Sequence, residues 1–316
     1  MTIGKAIAIV LLLSASIASA TCAKSPMTHP QGEVGLQLFR PDQAQGWTDA
    51  LDLGVRWLRV EVRWDSFNRS PGEFDTTFPD RVFALASAHP NMQLMLLFNH
   101  APKFAIDEPG RFADHAAAAA SWLIRRYGKQ VYGVEVFNEP NLGAPYGWPS
   151  IWRTQKESAE AYARTLAAVS SAIREVNHNV FVISAGLSPQ NDPVAYLRWV
   201  LRSTPPNCVD AIGGHPYGDE GNFKLVQRNA ALLLEQEHFP SAPLWFTEFG
   251  TPDDSRRGAL LASLATDRHA APITFFFADQ DVGWISETYG LRTLRGKVKH
   301  DDYASFKRLM KGKGIP

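Results

Sequence analysis

Cysteine is nearly absent from this chain: Cys22 and Cys208 are the only two in 316 residues. Two thiols so far apart in sequence do not suggest a redox pair, and no Cys/His cluster has a metal-binding spacing, so no metal is expected. Excess charge is lacking too, since 32 Lys and Arg balance 32 Asp and Glu. A nucleic-acid binder would need a basic surplus to neutralise phosphates, so nucleic acid is not an expected partner. No G-x-G-x-x-G follows the first strand-like run, which argues against a dinucleotide-binding doubly wound sheet. There is no phosphate loop, the segment SAGLSPQ at 184–190 is not a nucleophile elbow, and EQEH at 235–238 lacks the second His of a zinc-protease motif. No cofactor is therefore expected. No Pro/Gly/Ser-rich linker or composition break divides the chain. What is present is a globular composition, 45% hydrophobic and 20% charged, with nine Trp that offer stacking surfaces.

Long apolar runs are also missing. The longest candidate, Ala6 to Leu13, is far short of the ~20 apolar residues that span a bilayer, so no transmembrane anchor is expected. With Lys5 before it and Ala18-Ser19-Ala20 after it, residues 1–20 read as a secretory signal, implying a secreted or periplasmic protein. Residues 21–32 then form an N-terminal tail, and 33–316 a single domain. In an oxidising compartment Cys22 and Cys208 could pair or stay apart. Lipidation of Cys22 is the alternative, although Ser19-Ala20-Thr21 is a poor lipobox.

Short apolar runs recur along the remaining 296 residues at Val34–Phe39, Val55–Glu61, Gln93–Asn99, Gly133–Asn138, Val180–Gly186, Val209–His215, Pro243–Glu248 and Pro272–Ala278. Most lack apolar/polar alternation, as parallel strands covered on both faces do. Helical spacing appears between them, at Ala113–Tyr127, Ser158–Val176, Phe223–Glu237 and Arg256–Arg268. Eight such units at about 37 residues each predict a single (β/α)₈ barrel in the α/β class.

In a barrel the chemistry lies at the C-terminal strand ends. Two of the predicted strands lead into Glu: Glu139 in YGVEVFNEPN, before Pro140, and Glu248 in PLWFTEFG, before Gly250. They are 109 residues apart, three repeat units, which puts them on strands four and seven. A single strand-end Glu is usually a solvated loop residue. A matched pair across a barrel mouth is what glycoside hydrolysis requires, one carboxyl protonating the leaving oxygen and the other attacking the anomeric carbon.

VFNEPN and WFTEFG resemble the strand-four and strand-seven signatures of the clan A retaining glycoside hydrolases, over essentially the whole mature chain. GVRWLRVEVRWDSFNRSPGEFD is similar to the second-strand segment of families 5 and 39, LLFNHAP to the third-strand end, and AIGGHPYG to the sixth-strand H-x-Y element. The segment YGLRTLRGKVKHDDYASFKRL resembles the closing loop and helix, with KHDDY departing from the family pattern. The overall pattern is most similar to family 39 and to bacterial exopolysaccharide-processing glycosidases.

The resemblance implies roles. Glu139 would be the general acid/base and Glu248 the nucleophile. Asn138 would bind a sugar 2-hydroxyl, Arg59 would keep Glu248 ionised, and Tyr217, two residues past His215, would hold Glu248 in line. Asn99 and His100 would line the subsite of the cleaved sugar, against the plainer reading of structural hydrogen-bonders. Arg59 has a plainer reading too, as the ion-pair partner of Glu61. Trp64, Tyr146, Trp148, Trp152, Trp284 and Tyr289 fall in or beside strand-to-helix loops, where rings stack on sugars or simply pack the core. Trp148 and Tyr146 are the stronger candidates for stacking, ahead of Trp284. The expectation is a monomeric, cofactor-free retaining β-glycosidase acting on a polysaccharide or oligosaccharide, with internal cleavage of an exopolysaccharide as its finer form. A catalytically silent carbohydrate-binding barrel and a transglycosylase are the alternatives.

Overall fold

The computed structural model describes residues 22, 24–30, 32–218, 220–237, 239, 242–250, 273–274, 290–293 and 295–312. The expected signal at 1–20, the helix expected at 256–268, and Trp284 and Tyr289 lie outside the described residues. Eight strands alternate with helices: β1 Glu33–Leu38, β2 Trp57–Arg63, β3 Gln93–Asn99, β4 Val131–Val136, β5 Phe181–Ser184, β6 Ile212–Gly214, β7 Leu244–Phe246 and β8 Ile273–Thr274. All pair in parallel, in the order β5-β4-β3-β2-β1-β8-β7-β6. Parallel bridges Ile183↔Ala211 and Leu187↔Gly214 join the two ends of that order and close the ring. The fold is the (β/α)₈ barrel that the repeat arithmetic predicts.

The described α-helices are α1 Ala44–Leu53, α2 Trp64–Phe67, α3 Thr77–Ala88, α4 Lys103–Asp107, α5 Phe112–Tyr127, α6 Gln155–Val176, α7 Pro193–Ser203, α8 Glu220–Gln236 and α9 His300–Gly312. Local chemistry explains their starts. Thr154 Oγ1 accepts from Glu157 N at 3.1 Å, which satisfies a donor that α6 leaves open, and the Glu157 carboxylate reaches back to accept from Arg153 N at 2.9 Å, just ahead of the cap. Asp192 caps α7 in the same way ahead of Pro193. Ala159, Tyr162, Leu166, Val169 and Ile173 then bury one face of α6 at alternating spacings of three and four.

Strand alternation sorts the core into two parts. Leu58, Val60 and Val62 of β2 face outward into the large cluster shared with the helices. Trp57, Met95, Phe181, Ile183, Ala211 and Trp245 point inward and form a separate cluster inside the barrel. The inward positions nearer the C-terminal ends are polar instead, with Gln37, Arg59 and Glu135 all buried. Several predicted strands end earlier in the structure, and β4 shows why: Phe137 at φ 66° and Glu139 at φ 41° leave the extended region, so the ladder stops at Val136.

The tail lies against the N-terminal end of the barrel. His29 sits 4.8 Å from the Phe181 ring, Ser25 N donates to Asp210 Oδ1 at 2.9 Å, and Tyr132 donates to Thr28 O at 3.0 Å. Cys22 is bonded to Cys208, just before β6. In that disulfide Cys22 has no free thiol. No described helix is long and apolar enough to cross a membrane.

Candidate active site

Six strands contribute to one buried polar cluster at the C-terminal mouth. Arg59, on β2 and fully buried, donates from Nε to Glu135 Oε2 at 2.6 Å and from Nη1 to Glu248 Oε1 at 2.6 Å. Nη1 also donates to Gln37, and Nη2 donates to Asn138 Oδ1 at 3.1 Å. The plainer reading of Arg59 as the partner of Glu61 is therefore wrong. Arg59 and Glu61 both face into the barrel, but Glu61 lies one layer nearer the mouth and takes Asn99 Nδ2 at 2.9 Å and His100 Nε2 at 3.2 Å.

Glu139 and Glu248 meet around His215. The His215 Nδ1 lies 2.9 Å from Glu139 Oε1 and 3.6 Å from Glu248 Oε2, and its Nε2 lies 3.1 Å from Thr247 Oγ1. Tyr217 donates to the second oxygen of Glu248. Gly186 makes this convergence possible: a Cβ there would come 2.0 Å from His215 Nε2 and 2.7 Å from Thr247 Oγ1. The Gly186 amide donates to Glu135 Oε1 at 3.0 Å, and its carbonyl accepts from Glu139 N at 3.1 Å.

The same carboxyl chemistry is driven in opposite directions at the two glutamates. Burial raises the Glu139 pKa above the ordinary value, and the nearby Glu248 charge adds to the rise against the opposing pull of His215. Burial also pushes Glu248 up, but the charges of His215 and Arg59 and the hydrogen bonds from Tyr217 and Arg59 overcome it, so its pKa is lowered. Burial pulls His215 down, yet Glu248 and Glu139 outweigh it and its pKa is raised. The Tyr217 hydroxyl is held well above its usual range by burial and by the two carboxylates.

Among the described residues, Glu139, His215 and Glu248 are the one His/Cys/Asp/Glu trio with converging donor atoms, all within 4.8 Å of one another. Arg59 and Tyr217 already engage both oxygens of Glu248, a cation among them. The trio therefore suits proton and charge chemistry better than an ion cage.

Glu139, Glu248, Asn138, Arg59, His215 and Tyr217 are brought together as the sequence suggests. Asn99 and His100 form a neighbouring cluster with Glu61, where Asn99 Nδ2 also donates to the Tyr146 carbonyl at 3.2 Å and holds that loop. Burial raises Glu61, but the hydrogen bond and charge of His100 and the amide of Asn99 bring its pKa below the ordinary value. Tyr146 is half-buried in the loop after β4. Trp148 is not a stacking platform. It is fully buried, stacked on Trp152 at 4.6 Å, edge-on to Phe137 and Tyr162, with Nε1 donating to Ser158. Trp64 is likewise core, stacked on Phe98 at 5.5 Å. Both occupy loops by sequence, but their large apolar rings are more stable under the loops than above them. Glu135, Thr247, Gln37 and Gly186 escape sequence reasoning. The one available signal was a Glu or Gln standing inside an otherwise apolar parallel strand.

With this barrel and its charged mouth, the chain has the architecture of known glycoside-hydrolase barrels. It is similar to a family 39 glycoside hydrolase from the gut symbiont Bacteroides cellulosilyticus WH2, with TM-score 0.71 and 18% identity over 89% of this chain and 64% of that one. It is similar to an exo-β-1,4-mannosidase from Opitutaceae bacterium strain TAV5, with TM-score 0.62 and 17% identity over 94% of this chain and 62% of that one. A broad-specificity endoglucanase from Clostridium acetobutylicum matches with TM-score 0.64 and 13% identity over 88% and 96%. The chain thus spans under two thirds of the length of the first two. No protein-family model matches the chain, and no curated protein matches it.

Proposed function

We propose that this protein is a retaining β-glycosidase that hydrolyses a polysaccharide or oligosaccharide by double displacement. The observation that carries the reading is the Glu139–Glu248 pair, whose oxygens approach within 4.8 Å while their pKa values are driven apart. That approach is on the scale of retaining enzymes, ~5–5.5 Å between carboxyls, and below the ~6.5–9.5 Å that leaves room for an inverting water. Opposed protonation of neighbouring carboxyls is how one site holds an acid and a nucleophile together. The barrel is also one on which a mannosidase and an endoglucanase are built.

In this reading Glu139 carries the proton that releases the leaving oxygen. Glu248, kept anionic by Arg59 and oriented by Tyr217, attacks the anomeric carbon and forms a glycosyl ester. Glu139, now ionised, takes a proton from water, and the water oxygen displaces Glu248. Asn138, anchored through its carbonyl to Arg59, presents its amide toward the sugar 2-hydroxyl. The role of Trp284 as a stacking ring belongs to this same proposal. No chemistry in these steps calls for a cofactor.

The test is incubation with β-glucans, mannans, xylans and bacterial exopolysaccharides, followed by product sizing and NMR of the first-formed anomer. The expected result is a β-anomer that later mutarotates. An α-anomer would overturn the double displacement, lengthened products would point to transglycosylation, and binding without turnover would leave only a carbohydrate-binding barrel. We read residues 1–20 as a secretory signal on the same footing. A disulfide suits an oxidising compartment, and an intact mass matching 296 residues after export would support cleavage after Ala20.

A further inference from the structure

The proton inventory around His215 can be followed atom by atom. Glu135 is bound as an anion by Arg59 on Oε2 and by the Gly186 amide on Oε1. The Thr247 hydroxyl lies 2.8 Å from the same Oε1 and donates to it. Its single proton is then spent, so toward His215 the hydroxyl can only accept, and Nε2 must carry a hydrogen. On the other side of the ring, Nδ1 faces oxygens of two carboxyls, Glu139 at 2.9 Å and Glu248 at 3.6 Å. A hydrogen on Nδ1 would donate to Glu139 Oε1 and set the positive edge of the ring against Glu248, whereas a bare Nδ1 would turn its lone pair toward that anion. A histidine with both nitrogens protonated is a cation.

Charge balance selects the protonated ring. Among the described residues, the groups facing His215 are Glu135 and Glu139 from β4 and the turn after it, Thr247 and Glu248 from the end of β7, Arg59 from β2, and Tyr217 beside it. With Glu139 protonated and His215 neutral, Arg59 would face two buried anions, and an uncompensated buried charge is costly. With His215 charged, two cations meet two anions.

Resting on the glycosidase reading for its catalytic sense, we propose that His215 is a standing imidazolium, held by the Thr247–Glu135 pair, that serves Glu248 in the free enzyme and Glu139 in the glycosyl-enzyme. In the first displacement the anomeric C–O bond breaks, the Glu139 proton goes to the leaving oxygen, and a Glu248 oxygen bonds the anomeric carbon. Glu139 becomes the anion as Glu248 becomes a neutral ester, and the count of two cations and two anions is unchanged. Water then returns a proton to Glu139 and its oxygen displaces Glu248, again without change. Glu135 and Thr247 are positioning residues in this scheme, acting only through His215. The raised pKa of His215 agrees with it.

The experiment is long-range ¹H–¹⁵N NMR of the full chain with ¹⁵N-labelled histidine, titrated from mildly acidic to mildly alkaline pH, with the His215 signals assigned from a His215→Gln variant. The expected result is that both His215 nitrogens keep the imidazolium signature well above the ~6.5 at which ordinary histidines lose it. Thr247→Val, which removes the acceptor of Nε2–H, should lower that transition by about one pH unit, a tenfold change in proton affinity, and Thr247→Ser should restore it. A wild-type His215 with one bare nitrogen at neutral pH overturns the proposal, as does a Thr247→Val variant that titrates like wild type. The spectra need no substrate. An imidazolium in a chain that hydrolyses none of the glycans above would therefore strike the glycosidase reading and leave the charge assignment standing.

Discussion

Glu139 and Glu248 carry the same side chain, and their surroundings drive them to opposite protonation states. Burial raises Glu139, so it stays an acid to higher pH than a free carboxyl, and activity should fall as pH rises through its shifted value. Glu248 is lowered, so the acidic limb, where the nucleophile is protonated, should lie below the ordinary carboxylate range. The bell-shaped profile of kcat/KM measures both, and Glu139→Gln should abolish the alkaline limb while sparing substrates whose leaving group needs no proton. Glu248→Gln keeps the shape but removes the nucleophile, so kcat should drop by at least about 10⁴-fold with glycan binding retained in calorimetry. At this scale both glutamates are legible in sequence, because each follows an apolar run and is pinned by Pro140 or Gly250. Glu135 is not, since nothing local says that a mid-strand Glu meets an Arg from another strand.

At the scale of elements, the site depends on where each strand lets go of its neighbours. Positive φ at His100, Phe137 and Glu139 ends the ladders of β3 and β4 and turns their side chains across the mouth. Gly186 does the equivalent for β5 by leaving space. Gly186→Ala should push His215 off Thr247 and Glu139, lowering kcat and shifting the alkaline limb while the far-UV circular dichroism stays that of the barrel. A cap change should behave differently: Thr154→Ala on α6 should cost about 1 kcal/mol in denaturant unfolding, with kcat per folded molecule unchanged. Strand and helix existence is legible because buried parallel strands and amphipathic helices have distinct periods. Their ends are less so, since an apolar residue such as Phe137 packs equally well just outside the ladder. The same ambiguity misplaces Trp148, whose loop position says nothing about which way its ring turns.

Over the whole molecule, the Glu139–Glu248 mouth and the stapled base lie at opposite ends of the barrel. Cys22 and Cys208 close a loop of 186 residues beneath the strands. Replacing both by Ser should cost about 2–5 kcal/mol of stability, seen as a lower Tm that reductant no longer changes, while kcat measured well below Tm is unaffected. The repeat of apolar runs and helical segments determined the eight-fold barrel, because the period of each element is written locally and eight such units leave no open sheet edge when they close on one another. Position in that repeat then singled out Glu139 and Glu248. Which charges meet inside the barrel was decided only by the tertiary structure. The Arg59–Glu135–Glu248 network, the Thr247 hydroxyl and the space at Gly186 join four strand ends far apart in sequence, and the energy of a buried ion depends on distances that no single segment specifies.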